Sequence, residues 1–139
     1  MYYKTYTEKA YPKELIDFIK QNRENCIGFV YDLIKVIKKL YKIDTDFNVL
    51  YYKDKKAFGG GIYIDISKEF RFYDHISLIT VLHEIRHAIQ CNSTTYIEEF
   101  KSNYELKEKD AREWSCSLYY ICFPEEYLEK IEKGELIYV

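Results

Sequence analysis

The sequence predicts an α+β domain in which helical segments flank a short run of strands. Three patterns predict it. Apolar residues recur at three- and four-residue intervals in residues 13–20 and 25–41, and do so again from residue 96 to 123. Residues 47–52 are β-branched and aromatic, and residues 61–66 alternate with a period of two. A length of 139 residues suits one domain, residues 1–139, with a core of its own, and is short for two.

Taken in order, a polar, Tyr-rich start leads to Pro12 at a first helical position, followed by Leu15, Ile16, Phe18 and Ile19 at helical spacing. Residues 22–25 break that pattern. A longer helix is predicted over residues 25–41, its apolar side formed by Phe29, Val30, Leu33, Ile34, Val36, Ile37 and Leu40, with Gly28 in its first turn. Asp44, Thr45 and Asp46 end it. Residues 47–52 and 61–66 then read as two strands joined as a hairpin or short meander, with Asp54, Lys55 and Lys56 turn-like between them. Gly59, Gly60 and Gly61 read as a bulge or turn, or as a backbone bare enough for another extended chain to approach. Residues 62–66 would then be an exposed edge to which a peptide could add by main-chain hydrogen bonds.

Residues 75–91 form the centre of the pattern. They hold no Gly or Pro, show apolar residues at Leu78, Leu82, Ile85 and Ile89, and follow Asp74, which is a good N-cap. Within them lies His83-Glu84-Ile85-Arg86-His87, an HExxH. Residues four apart stand one turn above another on a helix, so both imidazoles can aim a nitrogen at one point, about 2.0–2.1 Å away if that point is Zn²⁺. Glu84 is rotated by about a quarter turn. From there its carboxylate can reach a water at the metal without being a ligand, as a general base must. His75, the remaining histidine, precedes His83 by eight residues, about 12 Å along a helix axis and too far to join the pair.

Composition narrows the partners. A net charge of −2 offers no reason for nucleic acid or an acidic membrane surface as the main partner. No stretch approaches the ~18 apolar residues of a membrane span, and the amino terminus lacks an apolar signal region. Cys26, Cys91, Cys116 and Cys122 form no CxxC, which favours reduced thiols in the cytoplasm over a disulfide framework or a Cys-ligated zinc. The 16 Tyr read as half-buried rings with solvated hydroxyls.

The third ligand is therefore expected to be a carboxylate or a thiolate, which directs attention to the last third of the chain. A stripe of Ala111, Trp114, Leu118 and Cys122 marks the buried face of a helix there. An acid beside that stripe can reach a metal held between two packed helices, which makes Asp110 the first candidate and Glu113 the second. Glu105 and Glu108 read as solvated helix charges.

The HExxH, followed by Glu108-Lys109-Asp110-Ala111-Arg112-Glu113-Trp114-Ser115, resembles the gluzincin-type zinc metallopeptidases, most of all the small ImmA/IrrE-type branch. That branch carries an E-x-E-A-x-x-F-A pattern on its later helix. The likeness covers roughly residues 60–120. It implies a zincin-like fold, a small twisted sheet of about three strands packed with the HExxH helix and further helices. It also places the third ligand on Asp110, the acid before the Ala. Here Asp stands where Glu is usual, and Ser115 where Ala is. The implied activity is zinc-dependent hydrolysis of peptide bonds in an intracellular, regulatory protein, with Glu84 as the base. The alternative is a catalytically inactive zinc-binding module that regulates or docks proteins.

Overall fold

Helical periodicity at the start of the chain becomes two helices that bury the residues it marks. The computed structural model describes residues 2–57, 59–100 and 103–135. In it α1 (Lys13–Asn22) buries Leu15, Ile16 and Ile19, and α2 (Ile27–Leu40) buries Phe29, Val30, Leu33, Ile34 and Ile37. Pro12 is the N-cap of α1 rather than its first residue, and α2 starts two residues later than expected. Before α1, 3₁₀ turns at Tyr2–Lys4 and Glu8–Ala10 bracket a strap. Ser117 Oγ holds the strap, accepting from the Tyr6 N–H (3.1 Å) and donating to the Tyr2 carbonyl (3.0 Å).

The sheet departs from the predicted hairpin or short meander. β1 (Asn48–Tyr52) and β2 (Gly61–Ile64) do not pair; β3 (Glu69–Tyr73) lies between them, parallel to β1 and antiparallel to β2. Burial explains the order. Phe70 and Phe72 are each 1% exposed, and the central strand is where two such rings are best covered, each gaining about 1.5–3 kcal/mol from burial. Ile62, at 47% exposed, sits on an edge.

Asp74 does not cap the next helix. Its φ is +63°, a left-handed position that Asp tolerates, and its N–H donates to the Tyr52 carbonyl (3.0 Å), turning the chain out of β3. The cap is Ser77, whose Oγ accepts from the Thr80 N–H (3.4 Å) at the start of α3 (Leu78–Asn92). Helix α3 packs against β2 and along α5, and is buried almost all round. Thr80, His83, Glu84, Arg86 and Gln90 are buried along with its apolar residues, so each needs a polar partner inside the protein.

Those partners come largely from the last third. After α4 (Ile97–Phe100), α5 (Tyr104–Cys122) begins at Asn103, whose Oδ1 accepts from the Leu106 N–H (2.9 Å). The predicted stripe of Ala111, Trp114, Leu118 and Cys122 is its buried side. Pro124 opens α6 (Pro124–Glu132), completing six α-helices and a three-stranded mixed sheet among the described residues. Several tyrosines differ from expectation: Tyr6, Tyr11, Tyr63 and Tyr119 donate their hydroxyls to protein acceptors rather than to solvent alone. The four cysteines are free thiols. Among the described residues no helix is long and apolar enough to cross a membrane.

Candidate metal centre

One helical turn of α3 brings His83 and His87 together with their Nε2 atoms 3.2 Å apart. Glu108, from the second turn of α5, completes the group. Its Oε2 lies 3.2 Å from His83 Nε2 and its Oε1 3.2 Å from His87 Nε2. Donors about 2.0 Å from one tetrahedral ion stand roughly 3.3 Å from each other. One donor atom from each of the three lies within 4.8 Å of the others, close enough for the group to hold a metal ion, and two imidazoles with a carboxylate are a donor set zinc accepts. The hydrogen bonds from His83 and His87 hold the Glu108 carboxyl well below its usual range, so it is ionised and ready to ligate.

Asp110, expected in this role, is elsewhere. Arg86 grips it, donating from Nε to Oδ2 (2.7 Å) and from Nη2 to Oδ1 (3.4 Å); Gln90 Nε2 donates to Oδ2 (2.7 Å), and the Tyr6 hydroxyl donates to Oδ1. The physical reason lies in the criterion of burial. The most deeply placed acid on α5 goes to the most deeply placed cation on α3, whereas the imidazole pair lies nearer the surface, beside a carboxylate 21% exposed. Glu113 lies 3.9 Å from Lys109, and Glu105 is exposed. His75 is exposed and outside the cluster, and it precedes α3 rather than lying on it, so the expected offset along one helix axis does not apply. Arg86 was the signal in the sequence that could have found this. A guanidinium on the buried helix between His83 and His87 demands an anion, and the acid that answers it is not available to the two imidazoles.

Glu84 lies between the cluster and the sheet. Its Oε1 accepts from the Tyr63 N–H of β2 (2.9 Å), and its Oε2 lies 3.9 Å from His83 Nε2. Burial pushes its carboxyl up, and the two imidazoles and the Tyr63 N–H only partly offset this. A carboxylate raised toward neutral pH is a better proton acceptor and donor than an ordinary one.

Gly61 sets how closely β2 approaches. A Cβ there would meet Phe72 Cδ1 and Thr80 Cγ2, each at 2.9 Å, so the neighbour that uses this bare backbone is the chain's own α3. Gly61→Ala is expected to lose about 1–3 kcal/mol through overpacking. It should also speed hydrogen exchange at the Tyr63 amide, as β2 moves off Glu84; unchanged exchange would contradict this.

No known protein family, curated protein or solved structure matches this chain.

Proposed function

We propose that this chain is a zinc-dependent metallopeptidase of zincin-like fold, similar to the ImmA/IrrE-type branch, acting on an intracellular protein in the cytoplasm. The observation that carries the reading is the 3.2 Å spacing of His83, His87 and Glu108 beside a buried carboxylate that is not one of them, Glu84. A purely structural zinc site has no use for that fourth group and closes its last position with Cys or His.

His83, His87 and Glu108 would hold the ion. Bound there, zinc supplies Lewis acidity and brings the pKa of a coordinated water to about 7. Glu84 takes a proton from the water that attacks the peptide carbonyl. As the C–N bond breaks, Glu84 returns that proton to the leaving nitrogen, so the products are an amine and a carboxylic acid, whose remaining proton is lost to solvent at neutral pH. The Tyr63 N–H keeps the Glu84 carboxylate turned between strand and cluster. β2 has β3 on one side only, and its other edge runs past Glu84, where an extended substrate can lie.

Metal content and peptide cleavage, measured together, test the reading. Wild type is expected to bind one zinc and to cleave a quenched peptide library only when zinc is present, while His83→Ala and Glu108→Ala lose both. Wild type that takes up no zinc, or His83→Ala that still does, would overturn the site. A zinc-loaded protein that cleaves nothing would leave the binding module.

A further inference from the structure

We infer that Tyr63 is a positioning residue for Glu84: its hydroxyl, tied through Asn92 to α3 and to Thr45 in the loop before β1, fixes the strand whose N–H orients the Glu84 carboxylate. The inference deepens the proposal above and rests on it for its purpose, while its geometry stands without a metal.

The pairing of β2 explains why its backbone turns to the helix at this residue. In an antiparallel pair, opposite residues alternate between those that exchange hydrogen bonds and those that do not. Gly60 and Tyr73 are bonded, the Gly60 carbonyl accepting from the Tyr73 N–H (3.0 Å), so Tyr63 and Phe70, three places on, are an unbonded pair. The Tyr63 N–H therefore points away from β3, over the free edge, where Glu84 Oε1 accepts from it (2.9 Å). A four-residue edge strand paired on one side belongs to the readily opened part of a fold, so this one bond needs support to keep its direction.

The side chain of the same residue gives that support. The Tyr63 hydroxyl donates to Asp65 Oδ1 (2.8 Å) and accepts from Asn92 Nδ2 (2.8 Å). The neighbours of Asn92 decide which way its amide faces. Nδ2 also donates to the Ala88 carbonyl (2.8 Å), which can only accept, and Oδ1 accepts from Thr45 Oγ1 (3.1 Å). Burial works against the charge on Asp65, but Lys68, 2.7 Å away, and the Tyr63 hydroxyl outweigh it and hold the carboxyl below its ordinary range, as an acceptor. The Tyr63 ring packs against Phe47 and Phe70, with centroids 5.9 and 4.9 Å away.

The points of attachment share one stripe of α3. Thr80, Glu84, Ala88 and Asn92 are each four residues apart and so stand on one face of the helix. The bare backbone of Gly61 packs at Thr80, the Tyr63 N–H meets Glu84, and the Tyr63 hydroxyl meets Asn92. Without the last of these, β2 can tilt off the stripe and leave the Glu84 carboxylate free to turn. A misplacement of about 1 Å near a reacting centre is worth up to about 100-fold in rate.

The test uses two variants: Tyr63→Phe, which keeps the ring and removes the hydroxyl, and Asn92→Ala, which removes its partner. In metal-free protein, hydrogen exchange followed by NMR is expected to be about 2–10-fold faster at the amide of position 63 in both, as the loss of one intramolecular hydrogen bond implies. The Ile62 amide, which faces β3, should be unchanged, whereas a general loosening of the strand would speed both. Loaded with zinc, the variants should lose up to about 100-fold in kcat on a quenched peptide, with KM and zinc content as in wild type. Exchange at position 63 that is unchanged, or that rises together with Ile62, would overturn the inference. So would a wild-type kcat in both variants. If exchange responds as expected but wild type takes up no zinc or cleaves nothing, the hold of Tyr63 on Glu84 stands and the peptidase reading alone fails.

Discussion

Asp110→Ala is expected to destabilise the protein by about 3–5 kcal/mol, the cost of leaving one member of a buried ion pair alone. In a chain of 139 residues that is a drop of roughly 10–20 °C in Tm. Arg86 would be the stranded charge, its side chain 4% exposed and its guanidinium 4.8 Å from the Tyr96 ring centre and 5.2 Å from that of Trp114. Cation–π contacts with those rings cannot replace a carboxylate that accepts from two of its nitrogens. Adding Arg86→Met should return part of the loss, because an apolar side chain asks for no partner.

The same pair predicts a pH dependence. Burial alone would raise the Asp110 carboxyl, but the hydrogen bond and charge of Arg86, with Tyr6 and Gln90, bring it below the ordinary range. A carboxyl depressed by folding contributes its full stability above the unfolded value of about 4 and loses it as pH falls through the folded value. Urea unfolding of wild type should therefore show a decline below about pH 4 that is shallower in Asp110→Asn. An Asp110→Ala protein as stable as wild type would show that the ion pair has been misjudged.

On the proposed mechanism Glu84→Gln should have the opposite profile, with hydrolysis reduced by about 10²–10⁴-fold, zinc content unchanged and stability equal to wild type or higher. The amide oxygen can still accept from the Tyr63 N–H, so the local structure has no cause to change. What disappears is a carboxylate that burial pushes up, and a group whose pKa rises on folding works against the fold at every pH where it is ionised. Removing it takes away the proposed base and a local cost together. Activity within tenfold of wild type would dismiss Glu84 as the base, and loss of zinc would make it a ligand.

Local geometry explains what was legible beforehand. His83 and His87 meet because any α-helix stacks residues four apart, and the stripe of Ala111, Trp114, Leu118 and Cys122 is buried because periodicity alone selects a face. The strand order is a matter of burial. β1 and β2 are nearer in sequence to one another than β1 is to β3, yet two fully covered Phe rings on β3 take the middle of the sheet. The helix cap shows the same limit on a smaller scale. Asp74 and Ser77 are both good N-caps, and Asp74 is spent on the turn that leaves β3.

By itself, then, the sequence determined an α+β chain with two stacked histidines and an adjacent acid, since each of these follows from contacts within one element. Which distant acid joins them was decided only by tertiary structure. Glu108 and Asp110 are two residues apart on α5 and point to different sides of it. The rotation of α5 against α3, set by side chains packed along the whole contact, gives one acid to the imidazoles and the other to Arg86.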